Sequence, residues 1–254
     1  MAKQGGMGDR LFVDQFNVSG DIGSLGRIGG GRNPSEVTGI DKSAPERILL
    51  LGDGALDYAA WFNPDAVGPP IGAHSVLKTL PTIDRIGTYC RGAAIGSPAA
   101  TCVCKQVNYD ATRAQDGSLS FAVNMQSNGW GIEWGELLTA GVRTDTVATS
   151  PATGMDYGAV STLFGWTAYL HVFSVTGTSV TVTVQDSADN SAFASLAGGS
   201  AFGAVAPGGI GAFRLTSSSA TATVRRYVRA ITTGTFSNAQ FAVNFVRYYA
   251  ARGA

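Results

Sequence analysis

Charge is what this sequence has least of. Asp, Glu, Lys and Arg make up 14% of its 254 residues, against roughly 25% in an ordinary soluble domain. Lys and Arg number 18, as do Asp and Glu, so there is no basic excess of the kind that binds nucleic acid. So few charges imply that a partner covers much of the surface, or else that Ser and Thr dress the outside of a β-rich protein. No apolar run reaches the ~18 residues of a membrane helix, and MAKQGGMGDR lacks the apolar stretch of a secretion signal. A cytosolic site of synthesis, with no membrane partner, is expected.

The residues that do chemistry are equally scarce. Two histidines, His74 and His171, are the whole supply; one opens a short helix and the other sits in an apolar strand, so both are expected to be structural. Three cysteines, Cys90, Cys102 and Cys104, lack the spacing of a zinc or redox site. Small buried apolar residues is their expected role. Glu133 and Glu136 flank Trp134 in GIEWGELL, a carboxylate pair beside an aromatic that sugar hydrolysis could use. They lie too close in sequence for an acid and base drawn from separate strands. DSADN (Asp186 to Asn190) offers oxygens to Ca²⁺ but lacks the further acids of a calcium loop, and is expected to be a hairpin turn. The glycine runs at Gly29 and Gly208 have no GK[ST] and open no helix. In TVRRYVRAI, Arg225, Tyr227 and Arg229 alternate on one face, the pattern of a charged edge strand. No catalytic, cofactor-binding or metal residue is expected.

What is present is alternation. Leu56, Tyr58, Ala60 and Phe62 share one face of DGALDYAAWF, as do Leu119, Phe121, Val123 and Met125 in DGSLSFAVNM. Each run follows Asp-Gly, a hairpin-turn signal. QFAVNFVRY, from Gln240, repeats the second run. One segment, GAHSVLKTLP, has helical spacing and predicts a helix over 73–80, stopped by Pro81. Residues 29–52 are too rich in Gly, Pro and charge for a central strand and are expected to form a long contact loop. The stretch VRTDTVATSPATGMDYGAV reads as a linker or an extended crossing segment. Beyond it WTAYLHVFSV, TSVTVTVQD, GAFRLT, TVRRYVRAI and AQFAVNFVRYY follow at sandwich spacing. Residues 1–154 hold 12 Lys and Arg against 15 Asp and Glu, and residues 155–254 hold 6 against 3. An all-β fold of two domains, 1–154 and 155–254, with one short helix is expected.

The order NVSGDIGSL, VTGIDKSAPERILLLGDGALDYAAWFNP, GAHSVLKTLP and DGSLSFAVNMQSNG resembles the tail tube (major tail) proteins of long-tailed bacteriophages, and RYVRA with FAVNFVR resembles their additional C-terminal β-sandwich. The resemblance implies a virion protein made in the host bacterial cytoplasm. Six copies would close a ring by joining their sheets into an inner barrel, and rings would stack into a tube through which the genome is ejected. Strands in Leu11–Leu25, Leu56–Asn63, Thr101–Tyr109 and Leu119–Ser127 would build the wall, with 29–52 as the stacking arm and the second domain outside. The partners would be identical copies and other tail proteins (tape measure, terminator, distal tail). DNA would pass without specific binding, helped by the slightly acidic first half. The alternative is another tail or decoration protein whose C-terminal sandwich grips host-surface glycans through Trp166, Tyr169 or Tyr227.

Overall fold

The computed structural model describes residues 6–65, 71–158 and 160–251; the first five residues of MAKQGGMG lie outside them. Strand accounts for 53% and helix for 5%, so the chain is all-β. In chain order come β1 (Arg10–Val13), β2 (Phe16–Asn17), β3 (Ile22–Glu36), β4 (Arg47–Trp61), helix α1 (Ala73–Leu77) and β5 (Arg85–Cys90). There follow β6 (Pro98–Gln106), β7 (Asp110–Arg113), β8 (Leu119–Ser127), β9 (Glu133–Leu137), β10 (Arg143–Asp145) and β11 (Met155–Asp156). The last are β12 (Trp166–Ser187), β13 (Ala194–Ser195), β14 (Ala212–Thr216) and β15 (Tyr227–Arg247). Two compact units result. The larger comprises Met1–Ser19, Thr88–Thr101 and Trp134–Ala254, and the smaller Gly20–Gly87 and Cys102–Glu133. The composition boundary at 154/155 lies inside the larger unit.

In the smaller unit β4 pairs with β3 on one side and β8 on the other, and β8 also pairs with β7 and with the end of β6. The alternation holds through the strand interiors, where Leu56, Tyr58, Ala60, Phe121, Val123 and Met125 are buried; at the ends Leu119 is half-buried and Phe62, past the end of β4, is exposed. The Tyr58 hydroxyl reaches the Met125 sulfur at 3.9 Å. Helix α1 buries Ala73, Val76 and Leu77, and Asp21 Oδ2 accepts the Ala73 N–H at 2.8 Å, satisfying one otherwise open N-terminal donor. The helix stops at Leu77, short of the predicted 80, and Leu80 takes a left-handed φ of 42°, because Pro81 disfavours the helical conformation for the residue before it.

Residues 29–52 are not the loop expected. All but 37–46 are strand, paired from Gly29↔Ala55 to Glu36↔Arg47. Gly and Pro are tolerated because β3 is an edge strand, and Pro34 sits at a register shift. The Asp53-Gly54 pair is not a turn either: it lies inside β4, opposite Gly31 and Gly30. There glycine permits close approach, since a Cβ on Gly30 would stand 2.1 Å from the Asp53 carbonyl oxygen. Asp116-Gly117 does turn, with Gly117 at φ 90° between β7 and β8. The two Asp-Gly copies therefore do different work.

In the larger unit β12 and β15 pair from Trp166↔Arg247 to Ser187↔Tyr227. The expected strand pairs WTAYLHVFSV/TSVTVTVQD and TVRRYVRAI/AQFAVNFVRYY are thus single long strands. Gly177 (φ 125°) sits at a bulge between the two halves of β12, and Gly234 (φ 114°) pairs in register with Val180. β14 and β13 flank β12, and β9, β10 and β11 flank β15. The Thr-rich segment after Val142 is therefore an extended crossing segment rather than a free linker. Trp166, Leu170, Val172, Val180, Phe241 and Phe245 lie in one apolar core, and Phe12, Cys90, Ala99, Leu137 and Ala242 in another. At Gly177 a Cβ would stand 2.6 Å from Phe236 Cα and 2.8 Å from the Thr235 oxygen. Gly177→Ala is expected to cost about 1–3 kcal/mol in urea unfolding. Gly208→Ala, with open space around it, should stay within about 0.5 kcal/mol.

Candidate assembly surface

β3 and β4 run on past β8. The last β4–β8 pair is Ala55↔Gln126, whereas β3 holds β4 as far as Glu36↔Arg47. Residues 29–36 and 47–54 thus form a ribbon that, among the described residues, has no third strand, an arrangement marginal in water by itself. Its turn is closed by Val37 N–H donating to the Glu46 oxygen at 2.9 Å, by Glu46 N–H donating to Thr38 Oγ1 at 3.0 Å, and by a Lys42–Glu46 ion pair at 3.5 Å. Ile40 at the tip is fully exposed. Ile48, Leu49, Leu50 and Leu51 are 50, 65, 47 and 87% exposed. Strand alternation puts Ile48 and Leu50 on one face and Leu49 and Leu51 on the other. Both faces of the ribbon therefore offer apolar surface to water, a feature that marks an interaction site.

The sheet behind this arm reads β3, β4, β8, β7 across one row: Ile22↔Ala60, Ala60↔Phe121, Phe121↔Ala111. Among the described residues neither β3 nor β7 has a second strand partner. The face opposite the buried row carries Ser24, Asp57, Ala59, Asp110, Ala122 and Asn124 at its paired positions. These hold two carboxylates; Lys105 of β6, paired with Gln126, lies on the same face and is matched by Asp84 at 2.8 Å. Asn124 Nδ2 donates to Asp57 Oδ1.

The residues weighed for chemistry are absorbed by the fold. His171 is fully buried. Asn244 Nδ2–H donates to Thr101 Oγ1 (2.8 Å), and the Thr101 and Thr88 hydroxyls meet at 2.8 Å. Thr88 Oγ1 lies 2.7 Å from His171 Nε2, and His171 Nδ1 2.7 Å from the Asp14 carbonyl oxygen. A carbonyl can only accept, so Nδ1 holds the proton, Nε2 accepts from Thr88, and the chain of donors runs one way from Asn244. Burial lowers the His171 pKa to about 4 against the opposing pull of the Asp14 carbonyl. His74 Nδ1 meets the Tyr109 hydroxyl at 2.9 Å, among Phe62 and Phe121; burial first, then Lys78, lowers its pKa. The three cysteines are free and buried, with Cys90 pushed up to about 12 chiefly by burial.

Glu133 and Glu136 lie three apart on β9, hence on opposite faces. DSADN is a turn: Asp189 Oδ1 accepts from the Ser187 hydroxyl and from the Ser191 and Ala192 N–H groups, and Asp186 pairs with Arg225 at 2.6 Å. The stretch at Arg225–Arg229 is not an edge strand, since β15 there pairs with both β12 and β11. Trp166 and Tyr169, offered as glycan contacts, are wholly buried, because strand β12 lies between β14 and β15 with its apolar side chains in the core. Tyr227 is half-buried, opposite Ser187. Among the described residues no three His, Cys, Asp or Glu side chains gather as a metal site, and no helix is long and apolar enough to cross a membrane. The feature missed in the sequence is the exposure of Ile48–Leu51. Its signal was four consecutive apolar residues without alternation, between a Pro-containing turn and Gly52.

No family model and no curated protein matches the sequence. Solved structures do. The chain is similar to the Dit protein (gp 19.1) of phage SPP1, described as a paradigm of the hub adsorption apparatus of phages infecting Gram-positive bacteria, at 11% identity and TM-score 0.34, over 94% of this chain and 99% of that one. It is also similar to chains of the phage p2 baseplate in its activated conformation. With Sr the figures are 8% identity, TM-score 0.33, and 94% and 98% coverage; with Ca they are 10%, 0.33, and 95% and 99%. These three solved structures are of phage hub and baseplate proteins.

Proposed function

We propose that this protein is a structural subunit of a phage tail, which self-assembles by continuing the smaller unit's sheet from copy to copy into a closed ring, with rings stacked through the β3–β4 arm. The observation that carries this reading is the four-stranded row β3–β4–β8–β7 with both end strands unpaired among the described residues. Three successive antiparallel pairings make β3 and β7 run in opposite directions. β3 of one copy can therefore pair antiparallel with β7 of the next, and closure covers the two outer edges of this row. The register shifts in β3 add the local twist that a barrel wall needs. The unburied face of the row, with Asp57 and Asp110 at its paired positions and the adjoining Lys105 matched by Asp84, would line a channel to which DNA phosphates stick little, since phosphate affinity comes from unmatched Lys and Arg. The resemblance to tail tube proteins implies six copies per ring, a virion location, and tape measure, terminator and distal tail proteins as neighbours.

The test is a cross-link between edges. In one chain β3 and β7 are three strand spacings apart, about 14 Å, beyond disulfide reach. With Ser24→Cys and Thr112→Cys together, a short bis-maleimide is expected to give covalent ladders ending in a closed ring, and monomer from either single variant. The three native cysteines are buried and should not react. Only monomer from the double variant, with a chain that stays monomeric at high concentration, would sink the reading.

A further inference from the structure

The larger unit contains a cavity of about 610 Å³ bordered by β10, residues 149–155 and β15, within the roughly 300–1,000 Å³ of small-molecule sites. Leu138, Val142, Met155 and Val228 supply apolar wall, and two arginines, Arg143 and Arg229, are among its lining residues. They differ in charge balance. Arg143 is held by Asp145 at 2.8 and 2.7 Å and donates to the Ala230 oxygen, so its charge is matched. Arg229 donates from Nε and Nη2 to Gln185 Oε1 and from Nη1 to the Pro151 oxygen, and lies 3.9 Å over the Phe193 ring. These partners are neutral. Three of five N–H groups are used, leaving one on each terminal nitrogen and a cation without a carboxylate beside a mainly apolar hollow.

A cation matched only by carbonyls in a partly desolvated place has lost water without gaining a counter-charge. An anion there would make charge-assisted hydrogen bonds, while an attached ring or chain covered the apolar wall. We infer that this cavity binds a small organic anion, a carboxylate or sulfonate on an apolar body, with Arg229 holding the anionic group. The site is separate from the strand edges and arm used in assembly.

The test uses two dyes of similar body, anilinonaphthalene sulfonate and the neutral N-phenyl-naphthylamine, followed by fluorescence on the full chain carrying Ile48→Ser, Leu49→Ser, Leu50→Ser and Leu51→Ser, so that neither apolar face of the arm competes for them. One sulfonate per chain is expected, bound more tightly than the neutral dye. Arg229→Gln should weaken the sulfonate about tenfold or more and the neutral dye little, and Arg229→Lys should restore part of the loss. Thr153→Trp, at the exposed rim, should weaken both dyes, and decides the matter should Arg229→Gln fail to fold. Equal affinity for the two dyes, or dye binding indifferent to Thr153→Trp, overturns the inference.

Discussion

A chain carrying Leu49→Ser and Leu51→Ser should stay folded and lose self-association by about one and a half to three and a half orders of magnitude. Both side chains are mostly in solvent, at 65 and 87% exposed, so the isolated chain loses little packing. In an assembly that covers this face, each leucine would add about 1–2.5 kcal/mol of apolar burial, and two together about 2–5 kcal/mol, at 1.4 kcal/mol per tenfold. The opposite pair, Ile48 and Leu50, is a second experiment on the other face of the ribbon. Sedimentation velocity against concentration reads the effect, with circular dichroism checking the fold. If the serine variant assembled as readily as the unaltered chain, the arm would not be an assembly element, whatever became of the β3 and β7 edges.

The second large effect is on acid stability. His171 is buried and neutral, with a folded pKa of about 4 against 6.5 when exposed. Above pH 6.5 it is neutral in both states and contributes no pH dependence. As pH falls from 6.5 toward 4 the unfolded chain takes up a proton that the folded chain refuses, so stability drops with pH across that window. The full loss for this group is about 3 kcal/mol. His171→Gln can still accept from Thr88 and donate to the Asp14 carbonyl, and is expected to be less stable at pH 7 while losing less between pH 6.5 and 4. Urea unfolding of both chains at pH 7, 5.5 and 4 separates this from carboxylate titration, which the two share. Parallel stability curves would mean that His171 is not excluded from protonation.

Much of the fold was legible because strand alternation is a local property. DGSLSFAVNM became β8 with Phe121, Val123 and Met125 buried, and the three cysteines, read as small buried apolar residues, are buried. Glycine was read less well. Gly54 looked like a turn residue, yet it allows backbone approach inside a strand, a choice that depends on what lies opposite. Aromatic residues misled similarly: Trp166 and Tyr169 looked available, but flanking strands brought from residues 212–216 and 227–247 enclose them.

From residue order alone followed the all-β class, the short helix, the buried cysteines and histidine, and the singling out of residues 29–52. These depend on periodicity and residue chemistry within a few positions. Only the tertiary structure decided that 29–52 is a ribbon with apolar faces, that β3 and β7 each have one strand partner among the described residues, and that Arg229 is held by neutral partners. Each of those is a fact about which distant segment arrives next to a residue, or fails to, and pairing partners are set by the whole chain's burial rather than by local pattern.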